Sequence, residues 1–504
     1  MTAISTAVGL DRISRVSGYR IKKGFFDQQT PNLPQVIAVF GEANTANQGV
    51  LSIDKKEVTS AEEAGELYGY GSPIHQQMRI LRPENGIGVG GVPTIVFPQE
   101  SDAGATATVE KIAISGNATK NAIHFVEING RTSLNFKEYS YSVVNGDTPA
   151  QIAQKIADAI NAVLESPVTA SVNVSDEVEL TTKWKGVSST KLNVSVKTDG
   201  ENAGLTYSIS NVSQGSGDVD LQPSFDQFGS EWITSIVNPY ESKLDLFEQF
   251  NGVPYGSNPS GRYTPIVFKP FMSFVGTTEN DKGNLDVLAD SRELEVTNVI
   301  CTAPNSDAFA WEVAANYVRL FAKTMQNTPH LTVNNKSLPD LPAPNDGIIG
   351  DMADYNNRDF LVKNGISTVI LENDAYVIQD LVTTYHKDGE VPLQYSYCRN
   401  LNLDWNIKDG YDILESRNVK DHVILQNNQV SDASKTVKPK QWKAVLFDYL
   451  DELAERALIR EPDFSKDSLL VEVNATNPNR FDTFMKYKRT GVARIESTDV
   501  QAGF

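Results

Sequence analysis

The sequence predicts a multidomain α+β protein: an α/β sandwich core built from the middle and C-terminal parts, an inserted β-rich α+β domain, and extended terminal arms. Three observations carry this reading. At 504 residues the chain is too long for one hydrophobic core, and its length leads one to expect about three to four domains. Between about residues 225 and 430, helical patterns alternate with short apolar runs, which is the behaviour of α/β layers. Composition also shifts near residue 101, where Ala, Thr, Ser, Val and Asn take over until about residue 216. The boundaries that follow are 1–30 for an N-terminal linking arm, 31–100 with 217–430 for the main α/β domain, 101–216 for the insertion, and 431–504 for a C-terminal domain with its own arm.

Residues 1 to about 26 are polar and then basic, with Arg12, Arg15, Arg20, Lys22 and Lys23 against Asp11, and hold nothing that would build a core. Tyr19 and Ile21 alternate with polar neighbours as in an exposed strand. The segment reads either as a frayed terminus or as an arm that satisfies its backbone on the sheet edge of a neighbour. A buried strand at 36–41 comes next, and Thr59 or Ser60 then caps a helix beginning at Ala61. Residues 64–81 give two short helices broken by Gly69, Gly71 and Pro73. The glycine-rich run 86–92 leaves a helix and enters a strand at 94–97, the reverse order of a dinucleotide-binding loop, and reads as a connector.

Within the insertion, strands are predicted at 108–114, 124–128, 140–144, 168–174, 178–182 and 192–196. One helix opens at Thr148, with Pro149 in its first turn and Gln151 at the capping-box position, and runs over 152–164 with Ile152, Ile156, Ala159, Ile160 and Val163 on one face. The module reads as self-contained, because host strand signals resume at 232–237. In the main domain the pattern predicts helix 241–250, strand 263–268, helix 284–288, strand 296–301, helix 307–325 and strand 367–372, with a long loop over 327–357. An amphipathic helix follows at 441–459. Trp442, Val445, Leu446, Tyr449, Leu450, Leu453, Ala457 and Leu458 form its buried stripe, while Asp448, Asp451, Glu452 and Glu455 face outward.

Chemistry is harder to find. A formal charge of -19 argues against duplex DNA or RNA as a partner, since phosphate binding needs clustered Lys and Arg. With Cys301 and Cys398 as the two cysteines, no apolar signal segment at 1–10 and no apolar run near 18 residues, the expectations are a reducing cytoplasm, no disulfide framework and no membrane span. The five histidines are scattered without metal-ligand spacing. Asp404, Asn406, Asp412 and Glu415 around Trp405 suggest a calcium loop, but Lys408 and Asp409 occupy positions where a ligand and a glycine are needed, so the stretch reads as a solvated turn. Thr383, Thr384 and Tyr385 read as a β-branched strand end, with no base fixed beside them. No catalytic, cofactor-binding or metal-binding residues are predicted, and no cofactor. The rival classes are an α/β enzyme carrying a binding module and a surface adhesin.

Several segments in order carry a resemblance. The helix 441–459 precedes residues 464–473 (FSKDSLLVEV), then 477–482 (NPNRFD), then a short basic tail. Upstream, Asn364, Gly365, Ile366 and Ser367 precede residues 378–385 (IQDLVTTY), and Ala303-Pro304 leads into the helix 307–325, followed by Asn327-Thr328-Pro329. In this order the chain resembles the contractile tail sheath proteins of myophages and related injection machines, over most of its length after about residue 225 and more loosely over 34–98. It departs from them at Gln379 and Asp380, where the family often has an arginine, and at Lys486, Lys488 and Arg489. The resemblance implies a structural, non-enzymatic subunit that polymerises as helically stacked hexameric rings around an inner tail tube and contracts to drive the tube through the host envelope. It implies as partners other copies of the chain, the inner tail tube protein, and baseplate and tail terminator proteins, with no nucleic acid and no membrane in the assembled sheath. The place implied is the virion tail, assembled in the host cytoplasm, with the insertion on the outer surface and 431–504 facing the tube. Tyr19, Arg20, Ile21, Lys22, Arg494 and Ile495 are then the inter-subunit arm residues, and Asp448, Asp451, Glu452 and Glu455 the tube-docking residues. The alternative is the sheath of a bacterial secretion or extracellular contractile injection system.

Overall fold

The computed structural model describes residues 31–84, 86, 88–256, 258–387 and 395–503. The expected arm residues Tyr19, Arg20, Ile21 and Lys22 lie outside them.

A six-stranded sheet organises the main body. Its central strand, Ile37–Glu42, runs parallel to Thr94–Gln99 on one side and to Ser235–Asn238 on the other; Met272–Thr277 and Asn298–Thr302 extend it in parallel, and Lys56–Glu57 closes the far edge antiparallel. All six residues of Ile37–Glu42 are buried, as expected of a parallel strand covered on both faces. Alternation of side chains sorts them between two cores. Ile37 and Val39 enter one with residues of the helices Ala61–Tyr68, Pro73–Leu81 and Ala310–Asn327. Ala38 and Phe40 enter an aromatic cluster with Phe97, Phe225, Phe228, Phe247 and Phe271. Ser60 and Ser72 cap the first two helices by accepting from the Glu63 and His75 amides, each at 3.1 Å.

Between the strands Thr94–Gln99 and Ser235–Asn238 the chain makes two antiparallel sheets. One orders Thr206–Ser213, Val109–Ser115, Val178–Thr182 and Val168–Val172; the other orders Val194–Thr198, Ala122–Ile128 and Ser140–Val143. The helix Pro149–Asn161 packs on them and opens with the expected capping box of Thr148 and Gln151. The core of this region is not self-contained. Trp184, with ring centroids 5.4 Å from Phe309 and 6.2 Å from Trp311, takes both of those main-body side chains into it.

Other expectations are corrected. Residues 263–268 form no strand: Pro265 brings no amide for a ladder, and the strand is Met272–Thr277. The stretch around Trp405 is no solvated turn but part of the 21-residue helix Cys398–Asn418, with Trp405 1% exposed and Asn402 and Asn406 buried. The strand that carries Ile378 ends at Asp380, before Thr383 and Thr384, whose amides instead bond to the Ser396 and Asn298 carbonyls.

The C-terminal helix spans Pro439–Glu455, shorter than predicted, and ends before Ala457, which takes a positive φ of 54°. Trp442, Leu446, Tyr449, Leu450 and Leu453 pack with Leu403 and Ile407 of the long helix, and the Tyr449 hydroxyl donates to the Ile407 carbonyl at 2.7 Å. Beyond it lie a short helix, Pro462–Ser468, and a hairpin of Leu470–Val473 with Phe481–Phe484.

Candidate assembly surfaces

The four acids expected to face outward on the C-terminal helix divide into two kinds. Asp448 and Glu455 are exposed. Asp451 and Glu452 are half-buried and have partners in their own chain: Asp451 pairs with Lys466 of the following helix at 2.5 Å, and Glu452 with Arg456 at 3.0 Å. The reading of all four as a free acidic face is corrected to that extent. Arg456 also donates to Asn32 Oδ1 at 2.5 Å, while Asn32 Nδ2 donates to the Gln326 carbonyl at 3.0 Å. The next amide, Leu33 N, donates to Asn406 Oδ1 at 2.8 Å. The chain just after residue 31 is therefore held by three helices, a junction that sequence periodicity gives no sign of.

At the other end, Arg489 pairs with Asp404, and Arg399 donates to the Thr490 carbonyl at 2.6 Å and hydroxyl at 2.8 Å. Arg494, expected in an inter-subunit arm, forms an ion pair with Asp380 of its own chain, and its guanidinium carbon sits 3.6 Å from the Tyr397 ring centroid. Burial raises the Asp380 carboxyl above its ordinary pKa, and the Arg494 charge opposes that shift. Ile495 is 89% exposed. The hairpin places Leu470 opposite Phe484, and these two are 55% and 53% exposed. Its turn is held by Asn474, whose side chain accepts from the amides of Thr476 and Asn477 at 3.0 and 2.9 Å; Arg480 pairs with Asp482 at 2.5 Å.

A further acid is buried at the end of the central strand. Glu42, 1% exposed, accepts from the Ser188 hydroxyl at 2.8 Å, and Ser188 in turn accepts from Trp184 Nε1 at 3.0 Å. Burial pushes the Glu42 pKa up to about 7.

Among the described residues, no group of three or more His, Cys, Asp or Glu side chains is placed to hold a metal ion, and no helix is long and apolar enough to cross a membrane. Cys301 and Cys398 are free and buried, and burial raises both thiols.

No protein-family model matches the chain. A Mu-like prophage tail sheath protein of Haemophilus influenzae is 22% identical to it over 479 residues, covering 91% of this chain and 93% of that protein. The chain is similar along most of its length to a prophage tail sheath protein. Among solved structures, the sheath tail protein of Desulfitobacterium hafniense aligns over 94% of this chain and 100% of its own at 10% identity, with a TM-score of 0.44. The sheath of an extracellular contractile injection system in its contracted state (PVC) aligns over 97% and 98% at 9% identity, with a TM-score of 0.45.

Proposed function

We propose that this protein is the structural subunit of a contractile tail sheath that polymerises with copies of itself, as helically stacked hexameric rings around an inner tail tube, and contracts to drive that tube through a host envelope. The observation that carries the reading is the match to the prophage tail sheath protein along 91% of the chain. In this reading contraction is a rearrangement of rigid subunits that gain interface area while terminal arms keep them connected. Residues 1–30 and the segment from Arg494 onward serve as the arms, residues 101–216 lie outside, and residues 431–504 face the tube through Asp448 and Glu455. The exposed run from Ile495 to Gly503 and the hairpin edge at Phe481–Phe484 support such linking, because an unpaired strand edge accepts another chain's backbone. Baseplate and tail terminator proteins would meet the two ends of the stack, in a virion tail assembled in the host cytoplasm. The role is structural, with no catalytic step assigned to any residue.

Negative-stain microscopy of the purified full chain tests the proposal. Ordered hollow tubes are expected as concentration rises. Protein that stays monomeric at every concentration and salt, with and without a tube protein as template, would refute it.

A further inference from the structure

The last stretch of the chain is fastened, released and fastened again. Lys488–Arg489 pairs with Ile459–Arg460, and Thr490 is tied by its amide to the Leu458 carbonyl at 3.2 Å and by its hydroxyl to the Ala457 carbonyl at 2.7 Å. Gly491, Val492 and Ala493 are then exposed, and they run along a cleft of about 810 Å³. The chain touches down at Arg494, where the ion pair with Asp380 leaves each side chain 20% exposed and the guanidinium stacks on Tyr397. Every described residue beyond it, from Ile495 to Gly503, is exposed.

The cleft's charge makes this touchdown conditional. Its lining includes Arg399, Arg460, Lys488, Arg489 and Arg494, and no acid. Arg489 is matched by Asp404 and Lys488 by Glu461, whereas the buried Arg399 donates to the neutral acceptors of His330, Asn400 and Thr490. Arg494 therefore lies beside like charge, and Asp380 is the carboxylate that holds it there. A partly exposed ion pair with one ring stack favours the closed form by a factor of about ten. That is enough to keep most copies closed, yet small enough for a neighbour's contacts to reverse.

We infer that Arg494 on Asp380 and Tyr397 is a latch in cis, which holds the segment after Thr490 on its own chain and competes with linking of that segment to a second copy. The inference rests on the sheath reading, in which Arg494 and Ile495 belong to an arm passed to a neighbour. An arginine committed to its own Asp380 is not free for that link.

Asp380→Asn tests it, keeping the shape and an acceptor for Asn334 while removing the charge. Two readouts are needed. Trypsin cleaves after Arg494 when that residue is released, so the variant, which keeps the Tyr397 ring, should be cut at this bond about three- to five-fold faster than wild type, with other sites unchanged. Its assembly into tubes should also start at a lower concentration and with a shorter lag. Tyr397→Leu, which removes the ring and leaves the carboxylate, should move both readouts in the same direction, and it serves if Asp380→Asn fails to fold. Cleavage at the wild-type rate in both variants shows that no latch exists. Faster cleavage with slower or unchanged assembly makes Arg494 a fixed anchor and also overturns the inference. Wild-type protein that never forms tubes sinks the sheath reading instead, while the cleavage rates still decide whether the latch forms.

Discussion

Replacing Glu42 by glutamine probes how the central sheet is joined to the region it carries at 101–216. Glu42 Oε1 accepts from the Ser188 hydroxyl and the Tyr240 hydroxyl lies beside the carboxyl, and among the described residues no cation forms an ion pair with it. The charge of Asp218 raises the pKa further, though less than burial does. The rise from 4.5 to about 7 corresponds to on the order of 3 kcal/mol. The folded-state pKa is the raised one, so the stability tied to the neutral acid is fully present below pH 4.5. It is lost as pH rises through about 7. About 2 kcal/mol of it should disappear between pH 5.5 and 8.5. Glutamine cannot ionise and should flatten this part of the profile. The assay is urea unfolding of both proteins at pH 5.5, 7 and 8.5, joined to amide exchange over residues 184–189, because a chain with several cores need not unfold in one step. A glutamine variant that keeps the wild-type pH slope, with unchanged exchange at Ser188, would refute the assignment of a structural proton to Glu42.

Thr148→Ala removes one half of the capping box on Pro149–Asn161 and should destabilise the region around it by about 1 kcal/mol, read from local amide exchange. Asp448→Lys with Glu455→Lys should weaken assembly on the tube more at low salt than at high salt, while changing chain stability by less than about 0.5 kcal/mol, since both side chains are exposed; equal assembly at both salts would move the docking site elsewhere. Deleting residues 1–22 should leave the near-ultraviolet spectrum intact and abolish long tubes, and tubes of normal length would refute the arm reading.

Much of the fold was legible in the sequence where a local rule and burial agree. The capping box at Thr148 and Gln151, the Ser60 cap and the apolar runs at Ile37–Glu42, Thr94–Gln99 and Asn298–Thr302 are found within about two residues of where local chemistry puts them. The helix Cys398–Asn418 was hidden for the opposite reason. It buries Asn402, Asn406 and Gly410 among its apolar positions, so no stripe emerges, and its acids imitate a loop. Thr206–Ser213 escaped because it is an edge strand with an exposed polar sequence. The expected assembly surfaces were read from the alternation at Tyr19 and Ile21, the polar face of the C-terminal helix and the order of motifs, and side-chain pairing was beyond all three. Lys466 lies one helix past Asp451, and Asp380 lies 114 residues before Arg494, so neither pairing follows from spacing along the chain.

Phe309 and Trp311 set a limit on exchanging the region 101–216 between relatives. Their rings stack at 4.9 Å and are 2% and 1% exposed, covered from the far side by Trp184. Cutting the region out and closing the gap with a short linker would strip that cover and leave two large aromatic rings facing water at the head of the helix Ala310–Asn327, a ready nucleus for aggregation. A graft or a natural replacement at this site must bring its own apolar plug or arrive with polar substitutions at both positions. The identity of residues 309 and 311 should therefore change together with the presence of the region 101–216, which makes them a two-residue marker for following that region across relatives.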